Sequence, residues 1–92
     1  MFKELSRQQQ FRLRDKSLFN GDEERKWYFF ACCLQPRTPW EASKLPKIIA
    51  AFENGEGLDI SWVRERYNLL HPEDQHTLYL NYILWLGENQ IE

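Results

Sequence analysis

Cysteine, proline and glycine are all scarce in this chain of 92 residues, with two, four and four copies. The two cysteines, Cys32 and Cys33, are neighbours, and adjacent cysteines rarely reach disulfide geometry with each other. A disulfide-stapled secreted scaffold is thereby excluded. So little glycine and proline excludes collagen-like and low-complexity segments, and leaves both residues as punctuation between elements. Long apolar runs are missing too. The longest, Trp27–Leu34, has eight residues, against about 20 for a membrane-spanning helix. Met1–Gln10 is polar and lacks the apolar centre of a secretory signal. Together these absences predict a reducing, cytoplasmic setting and no membrane partner.

Histidine is as sparse as cysteine, so His71, His76, Cys32 and Cys33 are the only soft metal ligands. Structural zinc sites draw cysteines from spacings such as C-x2-C. Adjacent helical residues point about 100° apart and do not share one ion. No metal and no cofactor is expected. Burial of the thiols within the apolar run should quiet them as nucleophiles. Gly55-Glu56-Gly57 lacks the Lys-Ser/Thr of a phosphate loop and reads as a turn. Asp22/Glu23 and Glu73/Asp74 fall where helices begin, and the helix dipole explains acid there. No coherent catalytic set remains, and the chain is expected not to be an enzyme.

What the chain does have is rings: four Trp, four Tyr and six Phe. So short a chain buries only about 60–65% of its unfolded surface. Either the core is built largely of rings, or some of them face a partner. Charge is unevenly placed. Residues 1–47 carry ten Lys/Arg against six Asp/Glu, whereas residues 48–92 carry two against eight. The halves can attract each other within the fold, or present a basic face and an acidic face to partners.

The pattern predicts an all-α fold, a small irregular bundle of four or five helices in one domain spanning residues 1–92. Ser6 and Gln9 fit a capping box opening a helix from about Arg7 to Leu18, with Phe11 and Leu18 as its apolar positions and Leu13 off that stripe. A short strand is the alternative there, since Phe11–Arg14 alternates. Asp22 and Glu23 open a second helix, on which Trp27, Phe30, Ala31 and Leu34 keep helical spacing. Tyr28, Phe29, Cys32 and Cys33 make its other faces apolar, the mark of a buried central helix. Pro36 ends it. Thr38-Pro39-Trp40-Glu41 reads as a capping box opening a helix to about residue 53, kinked or split at Pro46. Asp59 caps a fourth over about 60–70, and Pro72 opens a fifth that Gly87 closes.

Two classes of partner then compete. The first is another protein, bound in a regulatory, inhibitory or assembly role, with a homodimer as one form. Its candidate anchors are Arg37, Trp40 and Lys44 around the third helix, and Tyr79 and Trp85 on the last. The second is nucleic acid, met by the basic segment 1–20 through Arg7, Phe11, Arg12, Arg14 and Lys16, where phosphate attraction and ring stacking would combine. Residues 28–53, opening Tyr28-Phe29-Phe30-Ala31-Cys32-Cys33-Leu34-Gln35-Pro36-Arg37-Thr38, faintly resemble an early helical segment of helix-hairpin-helix DNA glycosylases. The Gly-rich hairpin and the catalytic Lys and Asp of that family are missing, so the resemblance implies no membership. The nucleic-acid reading predicts binding that weakens steeply with added salt and is lost when Arg12 and Arg14 are neutralised. Salt-insensitive binding in a filter or anisotropy assay would remove it.

Overall fold

The computed structural model describes residues 2–89. It contains five α-helices and no strand among those residues: α1 (Arg7–Leu13), α2 (Asp22–Cys33), α3 (Pro39–Glu53), α4 (Ile60–Asn68) and α5 (Pro72–Glu88). A 3-10 turn, Lys16–Leu18, joins α1 to α2. The expected all-α bundle is the observed architecture.

Helix α2 stands at the centre. Every residue from Tyr28 to Leu34 is at least nine-tenths buried, so this helix has no solvent face over its second half. Helices α4 and α5 cover it on two sides and α1 on a third. The N-terminal segment closes its end, where the Lys3 N–H donates to the Cys33 carbonyl at 2.9 Å. Gly21 precedes α2 with φ +96°, a left-handed conformation that side chains rarely tolerate. Three acids, Asp22, Glu23 and Glu24, then occupy the positive end of the helix. The helix stops at Cys33, with Leu34 already extended, two residues before Pro36.

Rings build the core. Phe29, Phe30 and Tyr28 of α2 meet Tyr67 of α4, Tyr82 and Trp85 of α5, Phe52 of α3 and Phe19, mostly edge to face at 5.1–6.4 Å. Such pairs contribute about 0.5–1.5 kcal/mol beyond their burial. Buried hydroxyls are satisfied. Tyr82 donates to the Asp22 carboxylate at 2.6 Å, and the Tyr28 oxygen accepts the Leu58 N–H at 3.1 Å.

Three local expectations are corrected. Helix α1 has its predicted capping box, Gln9 N–H to Ser6 Oγ at 3.1 Å and Ser6 N–H to Gln9 Oε1 at 2.9 Å. It ends at Leu13, however, because the Asp15 carboxylate then takes the Ser17 N–H and hydroxyl and turns the backbone. Its faces are also inverted: Leu13 is wholly buried, while Phe11 is 69% and Leu18 37% exposed. Helix α3 is one helix through Pro46 and not two. Proline removes the bond to the Ala42 carbonyl, but both residues lie on the exposed side, where water can serve it. It closes at Gly55 (φ +103°) with the paired bonds Gly55 N–H to Phe52 and Glu56 N–H to Ala51 that mark a left-handed helix end. Finally, Gly87 lies inside α5, and Asn89 ends that helix.

Burial pushes the Cys32 thiol upward and the Cys33 thiol up to about 12, and burial pushes the Tyr82 hydroxyl up to about 12. In the unfolded chain these groups lose their protons nearer 9.0 and 10.0. Ionisation therefore favours the unfolded state first, and stability present below pH 9 should be lost progressively as pH rises toward 12. Urea midpoints should fall across that window, and Tyr82→Phe should flatten the fall above pH 10. Thiol reagents at neutral pH should label neither cysteine until the protein unfolds; rapid native labelling would contradict the burial.

Candidate interaction surfaces

Thr38 Oγ1 accepts the Glu41 N–H at 3.1 Å and Pro39 takes the first helical position, so α3 starts where its residues predict. That start holds Trp40 on the second helical position, 55% exposed. Ile48 and Ala51 follow at helical spacing on the same helix. Across from them, Leu58, Trp62 and Val63 come from the loop before α4 and from α4 itself. Together they line a cleft of about 240 Å³, with Asp59 as its one charged lining group. Asp59 is itself engaged as the α4 cap, accepting the Ser61 N–H at 3.0 Å. Lys44 is exposed one turn beyond Trp40 but does not line the cleft.

Arg37 lines a different and larger cleft, about 660 Å³, with Leu34, Arg66, Leu69, His71 and Asp74 among its walls. Sequence proximity had grouped Arg37 with Trp40; the structure separates them. The residue that reorganises this end is Glu41. Rather than closing a capping box on Thr38, its carboxylate accepts the Arg37 N–H at 3.0 Å and pairs with Arg66 Nη1 at 3.0 Å. Arg66 Nη2 donates to the Gln35 carbonyl at 2.9 Å. The Arg66 side chain is only 7% exposed and Glu41 12%, so this ion pair is largely withdrawn from water. Burial pulls the Arg66 guanidinium below its ordinary range, Glu41 opposes that, and the nearby Arg37 charge adds to it. No local spacing reveals a partner 25 positions away.

On α5 the candidates divide. Trp85 is 6% exposed, stacks with Tyr82 and packs at a tilt against Phe29, so it belongs to the core and offers no free surface to a partner. Tyr79 is 43% exposed, and with it on the outer face stand Leu80, Ile83 and Leu84 at 44, 43 and 62%. Sequence reasoning named Tyr79 but not those three aliphatics.

The basic segment is also divided. Arg7, Phe11, Arg14 and Lys16 are all exposed. Arg12 instead lies half-buried, with its guanidinium against Gly55. Asp15 sits among the cations, and hydrogen bonds from Ser17 hold its carboxyl below the usual range. Arg64 lies over the Trp27 ring at 5.6 Å.

Among the described residues no three His, Cys, Asp or Glu side chains gather as a metal site would require, and no helix is long and apolar enough to cross a membrane. The chain matches no protein-family profile, no curated protein and no solved structure.

Removing one member of a buried ion pair strands the other. Glu41→Ala should therefore cost about 3 kcal/mol in urea unfolding. Arg66→Met should cost less, because Glu41 keeps the Arg37 N–H. Equal and small losses would show that the pair is solvated.

Proposed function

We propose that this protein acts by binding another protein, and that the Trp40–Trp62 cleft is where the partner's apolar side chain enters. One observation carries this reading. Phe19, Trp27, Tyr28, Phe29, Phe30, Phe52, Tyr67, Tyr82 and Trp85 satisfy one another inside the fold, whereas Trp40 and Trp62 stand outside that network and line an open apolar cleft. An exposed tryptophan over an apolar recess is the kind of anchor that dominates binding energy at interfaces. Asp59 at the rim supplies a fixed charge for orientation. A regulator, inhibitor or assembly subunit works by such contact, without chemistry of its own. Two unpaired, buried thiols favour a reducing compartment such as the cytoplasm.

A second reading rests on the exposed group Arg7, Phe11, Arg14 and Lys16, which suits a nucleic-acid strand. It ranks below the first because Arg12 is turned against Gly55 and Asp15 interrupts the cations.

Trp40→Ala should leave the far-ultraviolet circular dichroism unchanged and lower stability by no more than about 1 kcal/mol, as expected for a half-exposed ring. In parallel pull-downs it should lose partners that the wild type retains, by at least about tenfold in affinity. A variant that unfolds makes Trp40 core, and one that keeps every partner moves the binding site elsewhere.

A further inference from the structure

Helix α5 presents a second surface with a different character. Residues Glu73, His76, Leu80, Ile83 and Gly87 are spaced three, four, three and four apart on its outward side. That is heptad spacing, and two of the five positions, Leu80 and Ile83, are apolar as helix-on-helix packing requires. Leu80 and Ile83 are 44% and 43% exposed, and Tyr79 and Leu84 flank them at 43% and 62%. The inward side of the same helix, Leu78, Tyr82 and Trp85, is already spent on α2. A Cβ at Gly87 would meet nothing within 4 Å, so the end of the seam is open to close approach. The exposed apolar stretch, Tyr79 to Leu84, runs for about 7.5 Å at 1.5 Å per residue.

Charge decides what can lie there. Helix α5 carries Glu73, Asp74 and Glu88 and contains no Lys or Arg. A second copy aligned parallel would set each acid beside its own like. Aligned antiparallel, it would bring Glu73 and Asp74 to the partner's Glu88. Both arrangements place acid on acid, and like charges across an interface are selected against. At the Leu84 edge the N-terminal segment adds Lys3 and Glu4, which cancel. We infer that the outer face of α5 receives an amphipathic helix of another protein, with aliphatic residues along its own seam and Lys or Arg at its flanks. The aliphatic seam supplies the affinity, while the flanking cations set partner choice and association rate. This surface is independent of the Trp40 cleft, so the failure of either leaves the other standing.

Two synthetic three-heptad peptides test it, both with leucine along the seam, one flanked by lysine and one by glutamate. Each is titrated into the isotopically labelled full chain and followed by amide chemical shifts. The lysine-flanked peptide should move residues 76–87, bind at least about tenfold tighter than its counterpart, and weaken as salt is added. Leu80→Lys should reduce its affinity at least about tenfold with the helical signal intact, and Leu84→Lys, at a more exposed position, serves if the first variant is unstable. Equal affinity for the two peptides overturns the proposal. So do shifts confined to the Trp40 cleft, or a concentration-dependent dimer whose α5 amides sharpen on dilution.

Discussion

A helix that is apolar all round can exist in water only if something covers every side of it. Helix α2 imposes that demand, and a chain of 92 residues has little material with which to meet it. Two helices, a helix of about two turns and an extended N-terminal segment are arranged around it. Aromatic side chains do much of the covering, since each buries a large area with few rotatable bonds. The surplus of rings is largely a consequence of wrapping so large an apolar helix with so few residues.

The same demand explains the polar groups drawn inside. Bringing α4 against α2 takes Arg66 out of water, where it meets the Glu41 carboxylate as an ion pair and donates to the Gln35 carbonyl, while its Nε has no hydrogen-bond partner. Bringing α5 in takes the Tyr82 hydroxyl to Asp22, at the start of the very helix being covered. Tyr28 reaches the loop before α4 in the same way. These contacts add little net stability, but leaving any of them unmade would be costly, so they fix how the helices sit. Glu41 joins the start of α3 to α4, and so positions both walls of the Trp40 cleft.

Features set by neighbouring residues were legible in advance. The caps at Ser6, Thr38 and Asp59, the acidic opening of α2, its all-round apolarity and the breaks at Pro36 and Asn54-Gly55 all follow from residue type and spacing. Features set by distant contact were not. Leu13 rather than Phe11 turns inward because of what α1 meets on α2 and α3. Trp85 is buried while Leu80, Ile83 and Leu84 are not because α5 docks by one narrow face, and a helix apolar over half its girth does not announce which half. Pro46 leaves α3 whole because its lost bond happens to face water. The burial of Arg66 depends on Glu41, 25 positions earlier. The candidate sites follow this division: Trp40 was legible as a residue at a capped turn, but the cleft across from it was not.

With the interior filled by α2 and its rings, binding falls to what the covering elements leave outside: the Trp40 cleft and the outer face of α5. The account therefore stands on α2 being the rigid centre. Native-state amide hydrogen exchange tests that most directly. Amides from Trp27 to Cys33 should exchange only through global unfolding, with the first turn of α3 and the ends of α5 opening at lower free energy. Exchange from α2 that is as fast as from α3 or α5 would contradict the account, because the helix that everything covers would then not be the one that holds the fold.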